Sequence, residues 1–317
     1  MKTVSVENND KDKRLDKFVS KLCPELPTGL MYKYIRLKRI KVNGKRCEIG
    51  THLKVGDRVD LYIGDEFFEN SKKNYDFLKA GKELDIVYED ENILLADKQV
   101  GLLCHPDKTE YNDTLIGRIT RYLYEKGEYN PETENTFKPA LANRIDRNTA
   151  GIVIAAKNAE ALKILCEKIK LREIDKRYLC AVHGVPKQKS AVLEGYLKKD
   201  EAKNKVTLSK SENGGKSIKT KYWLIKQKNG LSLLEIELLT GRTHQIRAQM
   251  ANIGLPLVGD TKYGTHKEDK KAGFKGQALY SYKLSFFFST PAGILEYLNG
   301  KTFKVKSVPF AEKLFGK

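Results

Sequence analysis

The segment that decides the fold spans residues 143–156 and reads NRIDRNTAGIVIAA. Its second half is a continuous run of apolar and β-branched residues, which predicts a buried strand. Its first half places Asp146 between Arg144 and Arg147 in a turn just before that strand. An isolated Arg-x-Asp-Arg turn is most often a salt-bridged structural feature, so the role of Asp146 depends on what the rest of the chain supplies.

Two later segments place polar side chains beside regular patterns. Residues 176–184, KRYLCAVHG, alternate like a strand, in which a tyrosine such as Tyr178 is most often an ordinary core aromatic. Residues 254–264, GLPLVGDTKYG, form a loop punctuated by glycine. Strand and helix patterns alternate irregularly through this half of the chain. The alternation predicts an α+β fold in which helices flank a mixed sheet.

A further segment, residues 241–250, reads GRTHQIRAQM and predicts a glycine-led turn followed by a helix. Ile246 and Met250 lie four residues apart, on one face of that helix. Arg242, His244 and Arg247 crowd its first turn, where a cation opposes the helix dipole. We therefore expect these three side chains to face an anion, either an RNA phosphate or a carboxylate.

An N-terminal module with its own pattern covers residues 11–63. Leu15 and Phe18 share one face of a predicted helix, and a second helical pattern is expected to carry Leu30, Tyr34 and Leu37 inward. An alternating strand and an Asn-Gly turn signal follow at residues 40–44. Positive charge is concentrated at the end of the second helix and around the turn, on Lys33, Arg36, Lys38, Arg39, Lys41 and Arg46.

The composition points to a phosphate-bearing partner. Lys and Arg total 59 against 41 Asp and Glu, a formal net charge of +18 over 317 residues. Such an excess favours nucleic acid, because binding releases counterions, although a lysine surplus that only aids solubility would give the same composition. Five widely spaced cysteines without a Cys-x-x-Cys pair indicate reduced core residues. No apolar stretch is long enough to span a bilayer and the N-terminus is polar, so we expect a cytoplasmic protein without membrane contact.

The N-terminal module resembles the S4 RNA-binding domain. Its Arg-Leu-Asp start, basic second helix, Ile-x-Val-Asn-Gly turn and Gly-Asp-x-Val ending match that family in order. The resemblance implies that the six cations named above lie near RNA phosphates.

The remainder of the chain resembles the pseudouridine synthases that act on large-subunit ribosomal RNA and on tRNA. The family's His-Arg-Leu-Asp-Arg-x-Thr-Ser-Gly motif corresponds to residues 143–151, and its Lys-x-Tyr strand to residues 176–178. Its Gly-Arg-Thr-His-Gln-Ile-Arg motif corresponds to residues 241–247, and its glycine-rich loop to residues 254–264. The resemblance implies a mostly antiparallel mixed sheet and the isomerisation of uridine to pseudouridine, without cofactor or metal.

The resemblance also implies individual roles. Asp146 is the catalytic carboxylate, acting as a nucleophile on the sugar or base or removing the 2′ proton to give a glycal; both routes stay open. Arg247 pairs with Asp146 and stabilises its charged form. Tyr178 stacks on the target uracil and is a candidate base for the C5 proton, while Arg144 helps to fill the space that the flipped uridine vacates. The other expected RNA contacts of this domain are Arg147, Arg242 and His244.

Some positions depart from the family pattern. Asn143 stands in place of the usual histidine, and Gln99 follows Lys98 where proline is common. These departures motivate an alternative hypothesis, an RNA-binding or ribosome-assembly factor that retains the fold without catalysis.

We predict an S4-like module over residues 1–63, a linker over residues 64–82 and a catalytic domain over residues 83–317. The expected partner is RNA, ribosomal RNA in preference to tRNA because of the S4-like module, and we expect a monomer.

Overall fold

The computed structural model describes residues 1–69, 75–200, 205–209, 211–212, 214–264 and 267–316. The helices are α1 (Leu15–Leu22), α2 (Thr28–Arg36), α3 (Glu66–Glu69), α4 (Leu115–Glu125), α5 (Ala159–Leu171), α6 (Gln245–Asn252), α7 (Lys267–Lys271) and α8 (Pro309–Phe315). The strands of the N-terminal module are β1 (Lys2–Ser5), β2 (Ile40–Val42) and β3 (Arg58–Leu61). Those of the large domain are β4 (Ile86–Glu89), β5 (Ile93–Lys98), β6 (Ala140–Leu141), β7 (Ala150–Ala156), β8 (Ile174–His183), β9 (Ser190–Asp200), β10 (Lys205–Ser209), β11 (Lys216–Lys228), β12 (Leu231–Leu238), β13 (Leu279–Phe286) and β14 (Thr302–Lys304).

The N-terminal module packs α1 and α2 on an antiparallel sheet of order β1-β3-β2. Leu15 and Phe18 of α1 are fully buried, as the helical pattern predicts. The inward position predicted for Leu37 is wrong, because this residue is 57% exposed. Leu30 and Tyr34 are partly buried and pack against the core as predicted, beside the more deeply buried Met31 and Ile35. The helix ends at Arg36, so Leu37 lies beyond its last turn and not on its face.

The chain between the two domains is only partly described. Residues 70–74 of the predicted linker lie outside the described residues. On the N-terminal side, Phe67 and Phe68 pack against the core of the module. On the other side, a 3-10 helix covers Asp76–Lys79 and Phe77 packs against the core under α4. The domain boundaries at residues 63 and 83 stay predictions.

A polar cluster joins the N-terminal module to the large domain. The buried carboxylate of Asp10 accepts hydrogen bonds from Asn135 Nδ2, at 2.9 Å, and from the hydroxyl of Thr136. Asn9 Oδ1 accepts a bond of 2.9 Å from the backbone N–H of Ala159 at the start of α5. Because these bonds are partly or fully buried, they attach the module to the large domain in addition to the connecting chain.

The large domain is built on one mixed sheet. The main path of the sheet runs β10-β9-β11-β12-β8-β13-β7-β5-β4, with β14 paired to β13 and β6 paired to β7. Every described pairing is antiparallel except that of β13 with β7. The predicted α+β class with a mixed, mostly antiparallel sheet is therefore confirmed.

Strand β7 lies between β13 and β5 in the sheet. All seven of its residues are buried, which explains the unbroken apolar run in the sequence. At its start, Gly151 has φ 115°, and a Cβ there would lie 2.3 Å from the carbonyl oxygen of Ser281 on β13. Glycine is required for this close approach. The approach fixes the turn that precedes β7, and with it Asp146, against the middle of the sheet.

Helices cover both faces of the sheet around β7. Helix α5 packs over Ile152 and Ile154, whereas α4 packs over Val153 and Ala155. Helix α6 covers the neighbouring half of the sheet, over β8 and β12. The longest of the described helices, α5, has 13 residues, and none within the described ranges is long and apolar enough to cross a membrane.

The five cysteines are free thiols. Four of them are buried, as the sequence predicts, but Cys166 is exposed on α5. The prediction that all five are core residues is wrong for Cys166, because this position of α5 does not face the sheet.

Candidate active site

The predicted functional residues of the large domain, except Arg147, meet at one cavity. Its volume is about 740 Å³, and it is lined by the turn before β7, by β8 and by the connection from β12 to α6. These segments are far apart in the sequence and are brought together by the sheet order. The predicted residues that line the cavity are Arg144, Asp146, Tyr178, Arg242, His244 and Arg247.

Asp146 lies in the turn between β6 and β7. Its backbone carbonyl accepts a bond of 3.0 Å from the N–H of Thr149, which closes the turn. Its side chain is 25% exposed. Arg247 Nη1 donates to Asp146 Oδ2 at 3.3 Å, and His244 Nε2 lies 3.8 Å from the same oxygen. The carboxylate is thus contacted by two side chains of the α6 region while part of it stays open to the cavity.

Arg247 is held more closely by a second carboxylate. Its Nε and Nη2 donate to the two oxygens of Asp260 at 2.7 and 2.9 Å, a bidentate geometry. Burial alone lowers the pKa of Arg247, but the bonds and charge of Asp260, with a further contribution from Asp146, raise it above its ordinary value. The predicted contact with Asp146 is present, but it is the longer of the two interactions.

No role was predicted for Asp260 from the sequence. Its side chain is fully buried, and its Oδ1 also accepts bonds from the backbone N–H groups of Lys262 and Tyr263, at 2.9 and 3.1 Å. Burial raises the pKa of Asp260, but the hydrogen bonds and charge of Arg247 outweigh burial and lower it. The preceding Gly259 has φ 76°, and a Cβ there would lie 2.2 Å from the carbonyl oxygen of Gly276. The Gly-Asp pair in the glycine-rich loop was the signal that could have identified this residue.

His244 begins α6 in a left-handed conformation, with φ 55°. Its Nδ1 lies 3.0 Å from the hydroxyl of Tyr263, which accepts a bond of 2.9 Å from the backbone N–H of Val206 on β10. A hydroxyl that accepts from Val206 can donate its proton to Nδ1, an arrangement that favours the tautomer with its proton on Nε2, facing Asp146. Burial lowers the pKa of His244, which favours the neutral ring. Tyr263 was not singled out by the sequence.

Tyr178 lies on β8, opposite Ile236 of β12 and Ser281 of β13. It is 5% exposed and lines the cavity. Burial raises the pKa of its hydroxyl to about 12, so the phenol is neutral at physiological pH. The cavity therefore has an aromatic side chain on the sheet side and a carboxylate on the loop side.

The arginines beside Asp146 differ from each other. Arg144 is exposed and lines the cavity, as does Arg242. Arg147 does not line it, because its Nε donates to the carbonyl of Gly101 at 3.0 Å and its Nη1 to Thr109 Oγ1 at 3.3 Å. Arg147 thus supports the loop after β5, a structural contact that the motif did not indicate.

Two further side chains fix the Asp146 turn. The fully buried Lys98 donates to the carbonyls of Gln99, Leu102 and Arg147 at 2.9, 2.7 and 2.9 Å, and burial lowers its pKa to about 8. Asn143, the departure from the family histidine, accepts a bond of 2.9 Å through Oδ1 from the N–H of Ile154. The side-chain amide of Asn143 therefore binds the backbone of β7.

The six cations of the N-terminal module that are predicted to lie near RNA phosphates are found around the end of α2 and the following turn. Lys41 is partly buried and the other five are exposed. Two of the cations lie over aromatic rings, Arg39 at 5.4 Å from the centre of Tyr34 and Lys41 at 5.2 Å from the centre of Tyr62. Among the described residues, no carboxylate lies within ion-pair distance of any of the six. This surface is called the α2 face below.

Two protein-family models match the chain. Residues 92–252 match the family model for RNA pseudouridylate synthase, and residues 13–59 match that for the S4 domain. The chain belongs to the RNA pseudouridylate synthase family. The S4 domain and the enzyme class predicted from the sequence are therefore confirmed.

Relatives of the synthase occur in several bacteria. It is 34% identical to an uncharacterised RNA pseudouridine synthase of Mycoplasma genitalium, over 98% of this chain and 97% of the relative. It is 27% identical to an uncharacterised RNA pseudouridine synthase of Bacillus subtilis, over 89% of this chain and 88% of the relative. It is 29% identical to ribosomal large subunit pseudouridine synthase D of Borreliella burgdorferi, over 78% of this chain and 76% of the relative.

Two solved human structures share the fold of the synthase. Human RNA pseudouridylate synthase domain containing 1 superimposes with a TM-score of 0.54 at 18% identity, over 73% of this chain and 94% of the human one. Human RNA pseudouridylate synthase domain containing 4 gives a TM-score of 0.55 at 18% identity, over 71% of this chain and 89% of the human one. At these identities the likeness concerns the fold.

Proposed function

We propose that the synthase isomerises uridine to pseudouridine in large-subunit ribosomal RNA, with Asp146 as the catalytic carboxylate. The observation that carries this proposal is the position of Asp146. Its carboxylate lies on the wall of the cavity, held on one side by Arg247 at 3.3 Å and open to the cavity on the other. A carboxylate that is fixed but accessible is suited to attack or to proton transfer.

The proposed reaction balances without a redox partner. The bond between N1 of uracil and C1′ of ribose breaks, the base turns, and a bond between C5 and C1′ forms. One proton leaves C5 and one is taken up at N1, so the product is an isomer of the substrate. Asp146 assists either as a nucleophile that is released again, or by removing the 2′ proton and returning it when C5 bonds to C1′. In both routes Arg247 holds the carboxylate through one hydrogen bond.

Tyr178 and Arg144 complete the proposal at the base. Tyr178 lines the cavity, which supports a role in stacking on the uracil, and it is the candidate base for the C5 proton. Because burial raises its pKa to about 12, the hydroxyl would accept a proton only as it passes its own proton on. Arg144 is exposed at the rim, in keeping with a role in the space that a flipped nucleotide leaves. Arg242 and His244 are the further proposed RNA contacts at the cavity.

Two observations support ribosomal RNA as the substrate class. Among the curated relatives are ribosomal large subunit pseudouridine synthases D of Borreliella burgdorferi and C of Buchnera aphidicola, the latter 30% identical over 90% of this chain. The α2 face adds a second basic surface outside the cavity, which suits a large structured RNA. An enzyme acting on this RNA would work in the cytoplasm.

The proposal is tested by tritium release from ribosomal RNA labelled at C5 of uridine. Wild type and Asp146→Asn are compared, with Asp113→Asn as the matched control. Asp113 is also bound by an arginine, Arg118, at 2.7 and 2.8 Å, but it lies outside the cavity. We expect release with wild type and control and only background release with Asp146→Asn. Equal background release from all three proteins would favour an RNA-binding factor without catalysis.

A further inference from the structure

Asp260 lies behind Arg247 as seen from the cavity and forms a bidentate pair with the Nε–Nη2 edge of its guanidinium. Nε and Nη2 of Arg247 both donate to Asp260, so only Nη1 is directed at Asp146. A guanidinium free to turn would present the same two-pronged side to whichever carboxylate was nearest. The single contact with Asp146 is therefore a consequence of the pairing with Asp260.

We infer that Asp260 is a positioning residue of the reaction. It holds Arg247 so that a single N–H of Arg247 contacts Oδ2 of Asp146, and Oδ1 of Asp146 stays available to the substrate. This inference rests on the proposed role of Asp146. In the described residues no hydrogen bond reaches Oδ1 of Asp146, whereas Oδ2 carries the contact with Arg247.

The position of Asp260 is itself fixed by the backbone. Its Oδ1 accepts bonds from the N–H groups of Lys262 and Tyr263, so the carboxylate cannot rotate without losing them. The turn continues with a bond of 2.9 Å from the N–H of Gly264 to the carbonyl of Asp260. The ring of Tyr263 lies 5.3 Å from the guanidinium carbon of Arg247 and limits its movement on another side. The glycine-rich loop thus acts as a rigid support for Arg247.

Burial helps to keep the Arg247–Asp260 pair in one geometry. The side chain of Asp260 is 0% exposed and that of Arg247 is 8% exposed, whereas that of Asp146 is 25% exposed. Water therefore competes little for the Arg247–Asp260 pair, and the pair keeps one geometry when RNA enters or leaves. Loss of Asp260 would free Arg247 to form a two-pronged pair with Asp146 and cover the oxygen that the substrate needs.

The experiment is a double-mutant cycle on the full chain, read out by the single-turnover rate of tritium release and by RNA affinity from filter binding. The variants are Asp260→Asn, Arg247→Lys and the combination, with Asp113→Asn as control. We expect Asp260→Asn to lower the rate about 10- to 100-fold, as displacement of a catalytic contact does, and to leave RNA affinity within about threefold. In the Arg247→Lys background, Asp260→Asn should lower the rate by less than about threefold, because the residue acts through Arg247.

A purely structural role predicts a different pattern. The losses would then multiply in the combined variant, or affinity would fall together with the rate, and either result would overturn the inference. A folded Asp260→Asn protein with the wild-type rate would overturn it as well. Should Asp260→Asn not fold by circular dichroism, Asp260→Glu replaces it: the longer side chain keeps the charge and shifts Arg247, so an unchanged rate contradicts the inference. If wild type itself released no tritium above Asp146→Asn, the proposed function would fail, and this inference with it.

Discussion

The cations of the α2 face and those of the cavity differ in what holds them. Lys33, Arg36 and Arg39 are exposed, and in the described part of the chain no carboxylate pairs with them. In the cavity, Arg247 is 8% exposed and lies between the carboxylates of Asp260 and Asp146. The α2 face has charge available for a partner, as do the exposed Arg144 and Arg242 of the cavity, whereas the charge of Arg247 is committed to a fixed internal geometry.

The difference indicates that the α2 face serves RNA affinity and that Arg247 serves the reaction. Exposed cations contribute to RNA affinity through counterion release, a contribution that weakens with salt. Arg247 is 8% exposed and already donates three hydrogen bonds to two carboxylates, so it contributes little to phosphate binding, but it can orient a reacting group. Changes on the α2 face should therefore appear in affinity, and changes at Arg247 and Asp146 should appear in rate.

Removal of the Arg247 guanidinium should have the largest effect among these changes. Arg247→Met removes the contact with Asp146, and we expect a loss of about 10² to 10³ in single-turnover rate, comparable with the loss of one charge-stabilising donor in an active site. RNA affinity should change by less than about threefold. A loss confined to affinity would assign Arg247 to phosphate contact and remove the distinction between the two regions.

Tyr178 should show the next largest effect, and two substitutions separate its two proposed roles. Tyr178→Phe keeps the ring and removes the hydroxyl, and we expect a rate loss of about 10²-fold if the hydroxyl transfers the C5 proton. Tyr178→Leu should add a loss of stacking with the uracil. Tritium release and binding to RNA containing 5-fluorouridine are the measurements. A Phe variant with the wild-type rate would limit Tyr178 to stacking.

Neutralisation of the α2 face should give a smaller effect that depends on salt. We expect the triple variant Lys33→Gln, Arg36→Gln, Arg39→Gln to weaken binding to ribosomal RNA about 10-fold and to reduce the salt dependence by roughly two to three phosphate contacts. The matched control neutralises Lys79, Lys82 and Lys126, which pair with Asp76, Glu125 and Glu89 respectively. Equal losses in both triple variants would mean that only net charge matters.

The smallest expected effect is on the acid stability of the fold. The bonds from Arg247 lower the pKa of Asp260, so the pair adds stability that is fully present above the unfolded carboxyl value of about 3.9. That stability is lost as the pH falls through the lower folded pKa. We expect Asp260→Asn to melt about 2–4 °C below wild type at pH 7, with the gap narrowing from pH 4 to pH 2. A gap that is constant with pH would show that the carboxylate charge is not involved.

The sequence predicted most of the framework and part of the site. The run at residues 152–156 identified β7 because both faces of this strand are buried, so no alternation was needed to recognise it. The prediction for α2 was wrong at Leu37, because the helix ends at Arg36, and it missed Met31 and Ile35, which are the most deeply buried residues of the helix. Helix faces in a basic, short module are determined by tertiary contacts.

The missing parts of the site are those that depend on long-range geometry. The motifs indicated that Arg247 faces an anion, but the choice between Asp146 and Asp260 follows from how the loop after α6 returns to the cavity. Arg147 shares its motif with Asp146, yet its side chain supports the loop after β5. Proximity in sequence therefore did not decide which arginine contacts which partner.

The central claim, that Asp146 carries the chemistry while the α2 face carries affinity, is tested most directly by one titration. Single-turnover tritium release from ribosomal RNA is measured against enzyme concentration for Asp146→Asn and for the α2-face triple variant. We expect Asp146→Asn to stay at background at every concentration, whereas the triple variant should reach the wild-type rate when enzyme is in excess. Recovery of activity by Asp146→Asn, or a triple variant whose maximal rate stays low at saturation, would contradict it.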